Sequence, residues 1–454
     1  MSKKPSTALL TDMYELTMLD STLASGMASR RSVFEVFGRR LPGGRRYGVV
    51  AGTGRVIEAI QNFRFDEAEL EYLGKEKIVS EKTLEYLADF RFSGDLYAYP
   101  EGEIYFPDSP ILQVAGPFAE TVVLETVILS ILNHDSAIAT AASRMTIAAH
   151  GRPCFDFGAR RTHETAAIHA ARAAAIGGFK GTSDLEAGRR YGLKVLGTAG
   201  HSFTLLHDTE KEAFASQIET MGLGTTVLID TYDVTQGVEN AVNTARAAGG
   251  EIGAVRLDSG DLVAQAFMVR RQLDDMGAND TKIIVTSDLD EYALAALSAA
   301  PVDIYGIGTR LVTGSGYPTA ELVYKLVACE GADGEMRSVE KFSEAKRTFG
   351  GFKVAGRVTD GLMGHATEEL VVACPDWETG QAYLAQIGAR PLQVQYMRDG
   401  ELLDEDAIGE DAISEAAENH KDARDELPYD GWRLSKGSPI IPTTITSISA
   451  VDLD

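Results

Sequence analysis

The stretch Leu193-Lys194-Val195-Leu196-Gly197-Thr198-Ala199-Gly200-His201-Ser202 joins a short apolar run to a glycine-containing turn and a histidine. An apolar run that ends in glycine predicts a strand followed by a tight turn. The imidazole of His201 then lies at the tip of the strand, where it can act as a base or as a nucleophile. A histidine in this place can also be a polar loop residue that only caps the next helix.

Six other apolar runs end in the same way, and helical stretches separate them. The seven runs are residues 153–156, 178–181, 193–197, 225–229, 252–256, 282–286 and 302–306. Strand–helix alternation on this scale predicts βαβ units and a parallel sheet. Because the runs lack a doubly wound glycine fingerprint, we expect an α/β fold with an irregular (β/α) barrel of about seven parallel strands. A Rossmann-like open sheet is the alternative.

The segments around this repeat have a mixed character, which predicts a second domain. The predicted division is an N-terminal α+β domain (1–117), an α/β barrel domain that carries the active site (118–330) and a C-terminal α+β region that packs on the N-terminal domain (331–454). The first segment opens with a helix within residues 7–29, for which Thr11 or Asp12 is the expected N-cap. Two Ala-rich helices, at about 118–132 and 136–149, precede the first strand of the barrel.

The composition limits the partners of the chain. Its 454 residues carry 67 acidic and 43 basic side chains, a formal net charge of −24, which argues against binding to nucleic acid or to anionic membranes. The three cysteines are far apart, so neither a disulfide framework nor a CxxC metal site is expected. We find no signal peptide and no apolar run that predicts a membrane span, and therefore expect a cytoplasmic protein.

Polar side chains follow each of the seven predicted strands. The tips carry Asp156-Phe157-Gly158-Ala159-Arg160-Arg161, Thr182-Ser183-Asp184, Thr198-Ala199-Gly200-His201, Asp230-Thr231-Tyr232-Asp233, Arg256-Leu257-Asp258-Ser259-Gly260-Asp261, Ser287-Asp288-Leu289-Asp290 and Gly306-Ile307-Gly308-Thr309-Arg310. In a (β/α) barrel these ends meet on one rim, which holds the active site. Asp, Ser and Thr are also common helix N-caps, but arginine is not. Arg160 and Arg256, each close to an acidic residue, therefore indicate a ligand site.

Three segments indicate a phosphorylated substrate. The glycine-rich run Gly306-Ile307-Gly308-Thr309 can offer backbone N–H groups to a phosphate. Asp230, Asp258 and Asp261 are hard oxygen ligands suited to a Mg²⁺ ion that bridges a diphosphate. Residues 341–357 concentrate basic side chains in an acidic protein and are expected to attract anions.

Other motifs carry no chemistry of their own. His163-Glu164 with His169 does not have HExxH spacing, so a zinc site is not expected. The sequence has no GxxxxGK[ST] motif, and the use of ATP cannot be inferred from it. Cys154 lies within a predicted strand and is expected to pack in the core.

These motifs, in this order, resemble those of nicotinate phosphoribosyltransferase, a type II phosphoribosyltransferase. The matching segments are Leu10-Thr11-Asp12-Met13-Tyr14, Asp156-Phe157-Gly158-Ala159-Arg160-Arg161, Phe179-Lys180-Gly181-Thr182-Ser183, Gly197-Thr198-Ala199-Gly200-His201-Ser202, Asp230-Thr231-Tyr232-Asp233, Arg256-Leu257-Asp258-Ser259-Gly260-Asp261 and Gly308-Thr309. The resemblance spans roughly residues 7–360. It implies a homodimer with a shared active site, and a reaction in NAD salvage. Nicotinate and 5-phosphoribosyl 1-diphosphate (PRPP) would give nicotinate mononucleotide and diphosphate, coupled to ATP hydrolysis.

The resemblance also implies roles for single residues around nicotinate. The pyridine ring would stack between Phe157 and Tyr14, the latter supplied by either subunit. The residues that would hold its carboxylate and ring are Arg160, Thr198 and Arg256. The related enzyme that uses nicotinamide carries an acidic residue at the position of Ser183. A serine there removes a charge that would repel a carboxylate, which predicts nicotinate as the substrate.

The remaining roles concern the phosphate groups. His201 would become a transient phosphohistidine by attacking the γ-phosphate of ATP. Catalytic roles are also implied for Asp230 and Asp258, which would position ribose and bind Mg²⁺. The residues implied for diphosphate and the 5-phosphate are Lys341, Lys346, Gly308 and Thr309.

Two alternatives to this function stay open. One is a nicotinamide or quinolinate phosphoribosyltransferase, although the quinolinate enzyme needs more cationic groups and no phosphohistidine. The other is a catalytically silent protein that binds PRPP or nucleotides on the same fold. The presence of His201, Arg256 and Asp258 argues against the silent protein.

Overall fold

The computed structural model describes residues 5–340, 349–361 and 363–449. The α-helices are α1 (Met13–Ser25), α2 (Thr53–Gln61), α3 (Glu67–Lys75), α4 (Glu81–Ala88), α5 (Phe118–Thr121), α6 (Glu125–Ala148), α7 (Glu164–Ile176), α8 (Leu185–Tyr191), α9 (His201–Leu206), α10 (Glu210–Met221), α11 (Val234–Ala247), α12 (Leu262–Asp275), α13 (Glu291–Ala296), α14 (Thr309–Val312), α15 (Trp377–Ile387) and α16 (Ala412–Asp425).

The strands are short, apart from a few in the antiparallel sheets. They are β1 (Arg31–Gly38), β2 (Gly48–Val49), β3 (Asp95–Ala98), β4 (Ile104–Tyr105), β5 (Leu112–Pro117), β6 (Cys154–Asp156), β7 (Thr226–Leu228), β8 (Ala254–Leu257), β9 (Lys282–Val285), β10 (Ile304–Ile307), β11 (Leu322–Glu330), β12 (Met336–Ser338), β13 (Phe352–Thr359), β14 (Ala366–Cys374), β15 (Arg390–Pro391), β16 (Val394–Arg398), β17 (Glu401–Leu402) and β18 (Thr443–Ser447).

The chain divides into two compact units, which we call the terminal unit (1–137 and 319–454) and the central unit (138–318). The predicted domain boundaries lie after residues 117 and 330, whereas the two units divide after residues 137 and 318. Strand β11 belongs to the terminal unit because it pairs along its length with β1. Ala119–Leu132 supplies apolar side chains to the core of the same unit.

The terminal unit is built on antiparallel pairing. Seven strands form a sheet in the order β12-β11-β1-β5-β3-β16-β17, and four more form a sheet in the order β15-β13-β14-β18. Helix α1 begins after the N-cap Asp12, as the sequence predicts, and ends before Gly26, which has a φ of 74°. It is therefore shorter than the predicted segment.

The two predicted Ala-rich helices form one helical run from Phe118 to Ala148. The predicted break falls at Asn133 to Asp135, but the fully buried Asp135 accepts two 2.8 Å hydrogen bonds from Arg55. This tertiary contact outweighs the weak helix propensity of those residues. By length and composition the run could cross a membrane, and 67% of its most apolar window is buried, as in the core helix of a globular protein.

The central unit contains a parallel sheet of five strands in the order β6-β10-β9-β8-β7. These are five of the seven predicted runs, so the prediction of a parallel α/β sheet is confirmed. The runs at 178–181 and 193–197 are not strands, and isolated parallel bridges join Asp156 to Thr182 and Thr182 to Val195. No pairing within the described residues connects Val195 to β7, and a closed barrel of seven strands is not confirmed.

The geometry at Gly181 explains why these two runs stay irregular. A Cβ at this residue would lie 2.4 Å from the carbonyl oxygen of Lys194, so the two backbones meet there more closely than side chains permit. Thr182 then donates to that carbonyl at 3.0 Å, and its own carbonyl accepts from Leu196 at 3.0 Å. The contact covers about two residues, which is too few for a regular strand.

Candidate active site

The carboxyl ends of the central sheet surround a cavity of about 890 Å³. Its walls include nine of the residues that the sequence predicts for the site, namely Phe157, Arg160, Ser183, Thr198, His201, Arg256, Asp258, Gly308 and Thr309. These residues come from five different tip segments at the ends of the predicted strands. The sequence prediction that separate tips meet around one pocket is therefore correct.

His201 is the first residue of α9, and its side chain is 38% exposed. Its Nε2 atom lies 3.0 Å from Oδ1 of Asp230, which follows β7 and is 2% exposed. The other oxygen of Asp230 accepts from the backbone N–H of Asp258 and from the hydroxyl of Ser259, both at 2.9 Å. The Asp230 carboxylate thus orients the imidazole and the loop after β8 together.

The Arg256 side chain, on β8, connects to the loop that carries the histidine. Its Nη2 donates to the carbonyl of Ala199 at 3.0 Å and its Nη1 to the hydroxyl of Thr198 at 3.4 Å. The buried Nε has no hydrogen-bond partner within the described residues. Burial lowers the pKa of Arg256, while the charges of Asp258 and Asp230 raise it. An anionic ligand in the cavity would add a counter-charge beside this partly dehydrated guanidinium.

Asp258 is the carboxylate of the site that best fits a metal-bound diphosphate. It lines the cavity, its Oδ1 accepts from the hydroxyl of Thr286, and its Oδ2 has no partner among the described residues. Mg²⁺ is commonly held by one or two carboxylates together with substrate phosphates, so one free oxygen is a suitable donor. Asp230 directs both oxygens to protein donors, and no group of three or more described acidic, His or Cys residues could hold a metal by itself.

Phe157 forms part of the cavity wall next to the glycine-rich strand β10. Its amide donates to the carbonyl of Ile307 at 2.8 Å, and a Cβ on Gly306 would lie 2.5 Å from its ring. The glycine at 306 therefore makes room for the aromatic side chain. A flat ring at the edge of a polar cavity can stack on a planar heteroaromatic substrate.

Some predicted site residues lie elsewhere. Tyr14 is on α1 of the terminal unit and is 42% exposed. Lys341 and Lys346 lie outside the described residues. Asp261 accepts from the amide of Ala264 as the N-cap of α12, which is the alternative role of such a tip residue.

The basic segment 341–357 does not form an anion site in the part that the structure describes. Within its described part, Lys353 is 1% exposed and its Nζ donates to Glu35 at 2.9 Å. Arg357 is fully buried and its Nη2 donates to Glu369 at 3.0 Å. These two cations are structural ion-pair partners in the terminal unit. Cys154, as expected, is a buried core residue, and burial raises its pKa to about 12.

The cavity also contains residues to which the sequence assigned no role. Arg161, Thr286, Ser287 and Asp288 line it, and Ser287 has a φ of 134°, an uncommon value for a residue with a side chain. Arg161, Ser287 and Asp288 belong to the tip segments and Thr286 ends a predicted strand, so their position at a strand end was the available signal. Asp156, directly behind the wall, is 1% exposed, and burial raises its pKa to about 6.

Two family models match the sequence. The nicotinate phosphoribosyltransferase N-terminal domain matches residues 9–133, and the nicotinate phosphoribosyltransferase family matches residues 153–348. Together they cover more than half of the chain. The chain belongs to the nicotinate phosphoribosyltransferase family.

Curated relatives agree with this assignment. Nicotinate phosphoribosyltransferase pncB1 of Mycobacterium tuberculosis H37Rv is 50% identical over 443 residues, which are 96% of this chain and 94% of that protein. Nicotinate phosphoribosyltransferase of Bacillus subtilis is 38% identical over 377 residues, which are 81% of this chain and 76% of that protein. The chain is therefore an enzyme of the transferase class.

Solved structures share the fold. Human nicotinic acid phosphoribosyltransferase superposes with a TM-score of 0.81 at 23% identity and covers 96% of this chain and 97% of its own. Nicotinate-nucleotide pyrophosphorylase from Pyrococcus furiosus gives a TM-score of 0.73 at 24% identity over 92% of this chain and 96% of its own. At these identities the likeness concerns the fold alone.

Proposed function

We propose that this enzyme transfers the phosphoribosyl group of PRPP to nicotinate and so forms nicotinate mononucleotide and diphosphate for NAD salvage. The observation that carries the proposal is the meeting of three groups of residues in one cavity. An aromatic ring and arginines suit a pyridine carboxylate, a carboxylate suits a metal-bound diphosphate, and a glycine-rich turn suits a phosphate. The activity named for the relatives at 50% and 38% identity supports it.

In the proposed complex, the pyridine ring lies on Phe157 and its carboxylate faces the guanidinium of Arg256, which lines the cavity. Ser183, which lines the same cavity, is neutral and adds no charge that would repel the carboxylate. The ring nitrogen attacks C1 of PRPP, a new C–N bond forms, and the C1–O bond to diphosphate breaks. Diphosphate leaves with the electron pair of that bond. The residues therefore act mainly by positioning the nucleophile and the leaving group.

The phosphate groups of PRPP are assigned to other residues of the same cavity. Gly308 and Thr309 take the 5-phosphate, because the backbone N–H groups of a glycine-rich turn can approach a phosphate closely. Asp258 would supply an oxygen ligand to Mg²⁺, and the bound ion would neutralise charge on the departing diphosphate. Lys341 and Lys346 would add positive charge there. Asp230 acts on this region by holding the amide of Asp258 in place.

ATP enters this proposal through His201. Asp230 holds the proton on Nε2, so Nδ1 carries the free electron pair. Nδ1 attacks the γ-phosphate of ATP, the N–P bond forms, and ADP leaves with the electrons of the broken O–P bond. Water later cleaves the phosphohistidine and returns free imidazole and phosphate. The active unit proposed is a cytoplasmic homodimer in which Tyr14 completes the pyridine site.

The test compares substrates and then follows the phosphate. Purified enzyme with PRPP, Mg²⁺ and ATP should turn over nicotinate with a higher kcat/KM than nicotinamide or quinolinate. Incubation with γ-labelled ATP should place an acid-labile label on His201. Preference for nicotinamide or quinolinate would refute the substrate, and absence of the label would refute the phosphohistidine. Light scattering should give the mass of a dimer, and a monomer would refute the shared site.

A further inference from the structure

We propose that Asp156 and Thr182 form a positioning pair that holds Phe157 and Ser183 in the geometry that recognises the pyridine carboxylate. Neither residue lines the cavity, and no catalytic role is assigned to them. The inference rests on the proposed function, since it concerns affinity for nicotinate. It predicts that affinity for nicotinate falls when one hydroxyl group that the substrate does not contact is removed.

The pair is a closed set of hydrogen bonds behind the cavity wall. The hydroxyl of Thr182 donates to Oδ2 of Asp156 at 2.7 Å, and it accepts from the amide of Asp184 at 3.0 Å. Oδ1 of Asp156 accepts from the amide of Gly158 at 2.7 Å. Thr182 is fully buried and Asp156 is 1% exposed, so water does not compete for these bonds.

These bonds hold the residues on either side of Phe157 and Ser183, the two residues that line the cavity. Ser183 lies between Thr182 and Asp184, and its own amide donates to the carbonyl of Asp156 at 2.8 Å. Phe157 lies between Asp156 and Gly158, so the carboxylate ties the residues on both sides of the ring. The backbone that carries the side chains of Phe157 and Ser183 is therefore fixed in position before the substrate binds.

Gly158 adds a steric constraint to this arrangement. A Cβ there would lie 2.2 Å from Val312 and 2.9 Å from Oδ1 of Asp156. The amide therefore approaches the carboxylate without an intervening side chain. Preorganisation of this kind raises affinity because less conformational entropy is lost when the ligand binds.

A purely structural role would have a different signature, since it would lower stability without a selective effect on nicotinate. Thr182→Val removes the hydroxyl at nearly constant volume, and Thr182→Ser restores it. Thr281→Val is the matched control, because Thr281 is 1% exposed and its hydroxyl donates to the carbonyl of Ile252 at 2.9 Å. Thr281 precedes β9, at the end of the sheet away from the cavity.

The experiment measures kcat and the KM values for nicotinate and PRPP, with the thermal midpoint of each variant. Thr182→Val should raise KM for nicotinate about tenfold, the effect of one lost buried hydrogen bond, with KM for PRPP within about twofold. Thr182→Ser should return KM towards the wild-type value, and Thr281→Val should lower stability but leave both KM values unchanged. Equal increases in both KM values, or no increase in Thr182→Val, would overturn the inference.

A second readout does not depend on turnover. Hydrogen exchange at 157–160 and 182–184 should be faster in Thr182→Val than in the wild type, and Thr281→Val should leave these segments protected. Unchanged protection would also overturn the inference. If the wild-type enzyme did not use nicotinate at all, the proposed function would fail, whereas the exchange result would still report on the positioning pair.

Discussion

Nε2 of His201 and Oδ1 of Asp230 lie 3.0 Å apart, and the second oxygen of Asp230 accepts the amide of Asp258. One buried carboxylate therefore links the residue proposed to receive phosphate from ATP with the residue proposed to bind metal-bound diphosphate. The link gives a physical route by which the state of His201 can influence the geometry of the diphosphate site.

This link can be tested with Asp230→Asn. The variant keeps the size of the side chain but loses the charge that orients the imidazole, so nicotinate-stimulated ATP hydrolysis should fall about 10- to 100-fold. His201→Ala should abolish the acid-labile label while the thermal midpoint stays near that of the wild type, because the imidazole is partly exposed. ATP hydrolysis at the wild-type rate in either variant would contradict the assigned role of that residue.

Ser183 should determine the choice between the acid and the amide substrate. Ser183→Asp places a carboxylate in the cavity, and like charges in a partly dehydrated site repel strongly. We expect kcat/KM for nicotinate to fall by about 100-fold or more, with a smaller loss for nicotinamide. Ser183→Ala is the neutral control and should change the ratio of kcat/KM for nicotinate to kcat/KM for nicotinamide by less than about tenfold. A ratio unaffected by aspartate would show that another residue sets the preference.

Arg256 should require its guanidinium and not only its charge. In Arg256→Lys the ammonium cannot bind Ala199, Thr198 and a ligand at once, because the planar fork is lost. We expect KM for nicotinate to rise by about tenfold or more. Arg189→Lys, on the exposed face of α8, is the control and should behave as the wild type. The measurement is KM for nicotinate in Arg256→Lys, Arg189→Lys and the wild type under the same conditions. An unchanged KM in Arg256→Lys would contradict the role of the guanidinium.

The buried Asp156 predicts a pH dependence of stability. Burial raises its pKa to about 6, above the value of about 3.9 in the unfolded chain. The folded protein therefore binds more protons between these values, and the stabilisation present at low pH is lost as pH rises through about 6. Relative to Asp156→Asn, the wild type should lose about 1 kcal/mol of unfolding free energy between about pH 5 and about pH 7. Urea titrations of both proteins at several pH values would measure the unfolding free energy of the wild type minus that of Asp156→Asn. If this quantity stayed constant or rose between about pH 5 and about pH 7, the raised pKa would be contradicted.

Arg357 should contribute to stability and not to substrate binding. The fully buried guanidinium donates to Glu369 at 3.0 Å and lies 3.6 Å from Glu103. Arg357→Met leaves the buried Glu369 without its counter-charge, while Glu103 keeps its 2.8 Å pair with Arg390, and should cost about 3–5 kcal/mol of unfolding free energy. Arg40→Met breaks the exposed pair with Glu321 and should leave the urea midpoint unchanged. If Arg357→Met retained full stability and lost affinity for PRPP, the anion-site prediction for this segment would be restored.

The sequence predicted the parallel sheet because the regular strands β6 to β10 combine apolar residues with helices of suitable length between them. It did not predict the irregular pairing at Thr182 and Val195, since this depends on how closely Gly181 approaches Lys194. Similarly, the charge of Lys353 is visible in the sequence, but its burial against Glu35 depends on contact between two different sheets of the terminal unit.

The site was predicted in outline for a related reason. Polar residues after parallel strands must meet at one edge, so the set of cavity residues follows from the pattern of strands. The connections among them do not follow, because they depend on side-chain direction. Asp156 and Asp258 both follow or end a strand, yet one is buried behind the wall and the other lines the cavity.

The glycine at 306 limits how this enzyme can be redesigned. Because any side chain there would collide with the ring of Phe157 and with Thr286, that strand offers no freedom to reshape the pocket. Substituted pyridine acids would have to be accommodated by shortening residues on the opposite loops, such as Thr198. Variant libraries aimed at unnatural nicotinate analogues should therefore keep position 306 constant and diversify the loop before His201.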